Sequence, residues 1–224
     1  GDRVAVELLL GYPAAGWHDR LAAQVRDALE ALPGVARATV SVASRVHSHK
    51  VQKDLTPLPG VCNIIAVASG KGGVGKSTTA VKMLGLEGRP DSPDGKSIEP
   101  KRNHGLQAMS IGLLVGEDTP MIWRGPMVTQ ALQQLLNDTR WDGLDFLVID
   151  LPPGTGDIQL TLAQRVPVSG AVIVTTPQDI ATLDARKALQ MFARVEVPVL
   201  GIVENMAVHT CTNCGHTEHV FGAG

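Results

Sequence analysis

The chain has 224 residues, enough for one large domain or for a medium domain with a small one attached. Apolar residues make up 44% and charged residues 19%, which supplies a buried core and excludes general disorder. Aromatics are only 3% and 20 basic residues face 22 acidic ones, so base-stacking platforms and nucleic acid held by bulk charge are both excluded.

In chain order, Val4, Val6, Leu8 and Leu10 alternate with more polar positions and predict a half-buried strand. Leu21, Val25, Ala28, Leu29 and Leu32 follow helical spacing up to Pro33-Gly34, and residues 35–46 alternate again around Val40 and Val42. Residues 1–46 therefore read as a small β-α-β accessory domain, too small to be comfortable alone. Residues 47–60 are polar, contain Pro57 and Pro59, and read as a linker in which His47 and His49 are solvated. Residues 61–224 read as the main domain. Its short apolar runs at 64–68, 144–149, 171–174 and 199–203 suit strands covered on both faces. Helical patterns lie between them, one from Pro126 through Val128, Leu132, Leu135 and Leu136, another through Ile180, Leu183, Ala188, Met191 and Phe192. The expected class is α/β, a mostly parallel sheet flanked by helices, with the α+β unit at the N-terminus. No apolar run reaches the roughly 18 residues of a membrane span, and residues 1–4 lack the shape of a signal peptide. Three cysteines make no disulfide framework, so a reducing cytoplasm is expected, without a membrane or nucleic-acid partner.

Gly70-Lys71-Gly72-Gly73-Val74-Gly75-Lys76-Ser77-Thr78 follows the first main-domain strand and fits G-x-x-x-x-G-K-[ST]. The glycines let successive N–H groups curl around phosphate oxygens. Lys76 neutralises the outer phosphates of ATP, Ser77 offers its hydroxyl to Mg²⁺, and the following helix adds its positive end. That helix should run three or four turns into a second strand, yet Gly85, Gly88 and Pro90 interrupt it and residues 89–105 are turn-rich, His104 being solvated. A segment missing near Val81-Lys82-Met83 is the expectation. Further on, the run 147–149 delivers Asp150 to a strand end, beside the phosphates of an open parallel sheet, where it would hold Mg²⁺ through a water. Gly154 lets backbone meet the outermost phosphate, and Asp157 reads as the N-cap of the next helix.

Cys211-Thr212-Asn213-Cys214 precedes His216 and His219. The C-x-x-C spacing brings two thiolates to one centre and suits zinc, copper(I) or an iron–sulfur cluster. Two arrangements fit: a zinc site closed by Cys211, Cys214, His216 and His219 in one chain, or a cluster held by two cysteines from each of two protomers. A redox dithiol is a third. Cys62 reads as a buried small hydrophobe.

The run from Lys71 to Thr78 resembles the deviant phosphate loop of the ParA, MinD and nitrogenase-iron-protein class, which implies that Lys71 reaches across a dimer interface to the other protomer's nucleotide. Asp150-Leu151-Pro152-Pro153-Gly154-Thr155-Gly156-Asp157 narrows the resemblance to the Mrp/ApbC type of iron–sulfur cluster carrier ATPase. Residues 63–79, 110–115, 123–127, 175–178 and 204–206 are similar to that family too. The resemblance implies a slow ATPase and homodimer whose Cys211 and Cys214 bridge a four-iron, four-sulfur cluster, taken from an assembly scaffold and given to apoproteins. It implies an adenine contact for Asn205, and catalytic roles for Lys71, Lys76 and Asp150. The family's acidic switch segment after its second strand has no match here, and the loop 12–17 lacks the cysteine that many relatives carry there. A ParA/MinD-like positioning ATPase, a zinc-stabilised regulatory module and an electron-donating reductase remain the alternatives.

Overall fold

Alternation puts Val4, Val6, Leu8 and Leu10 on one face of β1 (Arg3–Leu10), where each is half-buried. A short 3-10 turn (Ala15–Trp17) leads into the helix His18–Glu30, and β2 (Arg37–Ser44) returns parallel to β1 in register from Arg3↔Arg37 to Leu10↔Ser44. Glu30, at the helix end, accepts the Ala38 N–H at 2.9 Å and ties the helix to the strand it feeds. The structure is a computed structural model that describes residues 2–52, 55–75, 88–114, 125–154, 156–219 and 222. It divides into two compact units, Gly1–Ser48 and His49–Gly224.

The second unit is built on a four-stranded parallel sheet in the order β6-β3-β7-β8. Its strands are β3 (Val61–Ala68), β6 (Leu144–Asp150), β7 (Gly170–Thr175) and β8 (Val199–Glu204). Helices Gly125–Asn137, Asp157–Arg165 and Asp179–Arg194 supply the crossover layers, as parallel pairing requires. Five of the eight β3 residues are buried and the other three half-buried, and Ile64, Ala66, Ala68, Ile149, Ile173 and Phe192 form the centre of the core. The chain passes from β3 to β6 on one side and then crosses to β7 on the other. That reversal creates the crevice at the carboxyl ends of the strands where such sheets take ligands.

Several expectations change. The strands at the two sheet edges are not covered on both faces: Val148 of β6 is 64% exposed, and Leu200, Ile202 and Val203 of β8 are exposed too. On the helix Asp179–Arg194, the buried stripe is Ala181, Ala185, Ala188, Met191 and Phe192, while Ile180 and Leu183 face outward. Small alanines let the helix lie flat on the sheet, and this outweighs the larger side chains one step round. The turn-rich stretch contains the hairpin β4 (Lys101–Asn103) and β5 (Leu106–Ala108), reversed at His104 and Gly105, whose φ angles are 50° and 73°. Before it, Asp94 accepts from the Ser97 and Lys96 N–H groups, the Ser97 hydroxyl and Arg140. The Ser97 N–H foremost, then the Lys96 N–H, hold its carboxyl well below the usual carboxylate range. Gly156 rather than Asp157 takes the cap position of its helix. Cys62 is half-buried, not buried.

The two linker histidines are exposed, as expected of solvated side chains, yet both have partners in the protein. His49 offers both its backbone N–H and its Nδ1 to Asn63 Oδ1, each at 2.9 Å, and His47 is not free either. Gln52 goes further. Its Nε2 donates to the Ala163 carbonyl at 2.6 Å and its Oε1 accepts the Val168 N–H at 3.0 Å, satisfying groups left over where the helix Asp157–Arg165 ends. Gln52→Ala strands both against a buried background. It should cost about 2 kcal/mol and lower the melting temperature by roughly 4–8 °C. An unchanged melting curve would show that this segment is not anchored there.

Candidate functional site

The carboxyl ends of β3, β6, β7 and β8 gather the polar residues of the main unit. β3 runs through Ser69 into Gly70 and the phosphate loop, whose described part is 70–75. Lys76, Ser77 and Thr78 lie outside the described residues, as do the suspected excision near Val81-Lys82-Met83 and Trp123-Arg124. Val74 is fully buried between Gly73 and Gly75, whose φ angles of 79° and 84° only glycine adopts without strain. Gly70 is required for space instead: a Cβ built there would stand 2.3 Å from Asp184 Cβ and 2.5 Å from the Asp184 carbonyl carbon. The loop therefore rests against the helix Asp179–Arg194 with no room between.

β6 pairs with β3 so that Asp150 stands opposite Val67, three residues before the loop begins. The turn after it is fixed by backbone bonds, Leu151 N–H to Val67 at 2.9 Å and Gly154 N–H to Ser69 at 3.0 Å. Gln159, 2% exposed on the next helix, donates to the Pro152 carbonyl. The carboxylate and the Gly154 turn are thus brought to the loop, as the strand-end position of Asp150 suggests.

Lys71 does not extend away from its own chain. Its Nζ donates to Gln178 Oε1 at 3.0 Å, and the Thr176 hydroxyl donates to the same oxygen at 2.8 Å. Asn205, expected as an adenine contact, turns its side chain to the loop: Nδ2 donates to the Val74 carbonyl at 2.8 Å, while its own N–H bonds to Thr175 at 2.8 Å. Thr176 and Gln178 lie in the family-like run 175–178 but have no role assigned from the sequence, and Asp184 is not singled out at all. The signal for the first two was present as a polar Thr-Thr-Pro-Gln run leaving a buried strand.

The cysteine pair sits in a hairpin closed by β9 (His209–Thr210) and β10 (Thr217–Glu218). Cys211 N–H bonds to the His216 carbonyl at 2.8 Å and Gly215 N–H to the Cys211 carbonyl at 2.9 Å, which curls the loop tightly. The backbone N–H of Cys214, then that of Asn213, then the Cys214 thiol all point at the Cys211 sulfur and hold its pKa below the ordinary thiol value. Stabilising negative sulfur in this way is what a thiolate metal ligand needs. Among the described residues no three or more His, Cys, Asp or Glu side chains converge as a metal site. His219 bonds through Nδ1 to the Ala207 carbonyl at 2.9 Å. In this structure Cys211, Cys214, His216 and His219 do not converge on one point, and the thiol pair by itself would supply half of a tetrahedral set. Because a lowered pKa puts thiolate in solution at lower pH, Cys211 should alkylate with iodoacetamide at a pH below that of a free cysteine peptide. A rate profile coinciding with the peptide's would remove the role given to the N–H donors.

The chain matches the family described as ParA: NUBPL iron-transfer P-loop NTPase over residues 80–224. An iron-sulfur cluster carrier protein of Pseudomonas fragi is 52% identical over 225 residues, covering 88% of this chain and 78% of that protein. The iron-sulfur cluster carrier protein of Escherichia coli K12 is 48% identical over 253 residues, covering all of this chain and 68% of its own length. That alignment is longer than the 224 residues here, so the relative carries residues without a counterpart in this chain. Mouse iron-sulfur cluster transfer protein NUBPL is 47% identical over 75% of this chain and 61% of its own. Among solved structures, a nucleotide-binding protein from Archaeoglobus fulgidus in complex with ADP matches with a TM-score of 0.60 and 34% identity, over 75% of this chain and 76% of that one.

Proposed function

The chain belongs to the family of ParA/NUBPL iron-transfer P-loop NTPases, and from that premise we propose that it carries an iron–sulfur cluster as cargo and passes it to apoproteins under control of ATP. ATP lies with its phosphates in the loop from Gly70 to Thr78. Gly72, Gly73, Val74 and Gly75 supply N–H groups, and Lys76 neutralises charge. Ser77 and, through water, Asp150 would hold a Mg²⁺, which would supply the positive charge that polarises phosphoryl oxygens, while the chain's own groups orient the nucleotide. Hydrolysis is slow and coupled to release.

Two copies hold the cargo, Cys211 and Cys214 from each supplying four thiolates to a four-iron, four-sulfur cluster. One observation supports this reading above the others: a C-x-x-C hairpin with N–H donors aimed at Cys211 sulfur, in the same unit as a phosphate loop at the sheet's reversal point. A cytoplasmic setting suits exposed thiols. Among the described residues no helix is long and apolar enough to cross a membrane.

Iron and sulfide quantification on anaerobically reconstituted protein, with the mass of the intact assembly, tests it. Equal iron and sulfide in a dimer with visible charge-transfer absorption is the expected result. Zinc in a monomer, with neither iron nor sulfide, would defeat it.

A further inference from the structure

The cysteine hairpin has little packing of its own. Residues 208–210 and 212–219 are exposed, and only Cys211 within it is half-buried. Its placement therefore falls to its stem, residues 205–207. Asn205 fixes the stem to the sheet through its N–H on Thr175 and to the phosphate loop through its Nδ2 on the Val74 carbonyl, both at 2.8 Å. Met206 then turns the chain with a φ of 58°, a left-handed conformation that a residue with a Cβ holds only where its surroundings enforce it. Ala207 accepts from His219, on the return side of the hairpin, at 2.9 Å, so stem and hairpin base are joined.

We propose that Asn205 is a positioning residue that couples nucleotide at the phosphate loop to the cysteine pair. When phosphate draws the loop's N–H groups inward, the Val74 carbonyl must face outward, and outward is where Asn205 holds it. Nucleotide thus strengthens the Val74–Asn205 bond, stiffens the stem through Met206 and steadies Cys211 and Cys214. In an empty loop the Val74–Asn205 bond still forms but is held less firmly, so the stem is looser and the hairpin moves more. The coupling rests on the nucleotide and cysteine assignments of the proposed function and adds the element that connects them.

The test uses the full metal-free chain and iodoacetamide at neutral pH, with modification of each cysteine followed by peptide mass spectrometry and Cys62 as internal reference. Saturating ADP, and separately saturating ATP with Mg²⁺, should slow alkylation of Cys211 and Cys214 by roughly 5-fold, the change that one hydrogen bond's net contribution makes. Cys62 should not respond. Met206→Gly touches neither ligand and suits the left-handed backbone, so it should fold and bind nucleotide as before. Its softened turn should shrink the effect below about 2-fold. Asn205→Ala should lose the effect at saturation, whatever happens to its nucleotide affinity.

Equal slowing in all three proteins overturns the coupling, as does unslowed alkylation in the parent chain with nucleotide bound, or failure of the parent to bind nucleotide. Iron and sulfide uptake, assayed in parallel, separates the two readings. A chain that takes up no iron yet shows the nucleotide effect keeps the coupling and loses the carrier function; one that takes up iron without the effect does the reverse.

Discussion

Cys211→Ser is expected to remove cluster holding almost completely while the chain stays folded. The hairpin that carries Cys211 is exposed and contributes little to the core, so the substitution changes chemistry rather than packing. A four-ligand metal site binds with on the order of 10–16 kcal/mol, so losing one thiolate from each copy should weaken iron retention by at least about 100-fold. Serine keeps the shape but not the low pKa, and the N–H groups of Cys214 and Asn213 would then face a neutral hydroxyl. Cys214→Ser should fail similarly. Cys62→Ser is the control, because Cys62 lies near the amino end of β3, away from the carboxyl ends where the sites gather. Iron and sulfide content after desalting, beside a melting curve, reads the result. Full iron retention in Cys211→Ser would end the cluster assignment.

Gly70→Ala should give the second large effect, now on nucleotide. The added methyl would sit within 2.6 Å of the Asp184 carbonyl oxygen and nearer still to its carbon, and helical backbone in mid-helix cannot yield as a side-chain tip can. Either the loop lifts or the helix Asp179–Arg194 shifts. We expect a cost of about 3 kcal/mol in stability and a nucleotide affinity lower by about 30-fold or more. Neighbouring glycines supply the contrast. Gly72 has only the Pro153 side chain at 4.0 Å, so Gly72→Ala should pass with little steric cost. Gly73 has open space but a φ of 79°, so Gly73→Ala should cost about 1 kcal/mol from backbone strain alone. Calorimetric titration with ADP and thermal melts should show Gly70→Ala most impaired, Gly73→Ala next and Gly72→Ala least. A Gly70→Ala chain that binds like the parent would mean that the loop does not rest on the helix.

The parallel sheet was legible because parallel strands write themselves as short apolar runs separated by helical periods, and 64–68 and 171–174 did so cleanly. The edges were less so. Nothing in the residues 147–149 or 199–203 announces that one side will face solvent, since exposure depends on which strand ends up outermost. Ile180 and Leu183 misled for a related reason: a helical stripe can be drawn through them, but the sheet selected the alanine stripe one step round. His49 and Gln52 lay in a segment with linker composition, and their partners Asn63, Ala163 and Val168 come together only after the sheet has formed.

By itself the sequence determined the chemistry available to this protein: a phosphate-binding run after a strand, a carboxylate at a strand end, and a C-x-x-C pair after the last main strand. Each is encoded within about ten residues, where spacing alone dictates geometry. Only the tertiary structure decided how they are joined. Lys71 meets Gln178 across 107 positions and Asn205 meets Val74 across 131, contacts that exist because β7 and β8 lie in order beside β3. Strand order is a global choice set by burial of the whole sheet, and no local pattern carries it.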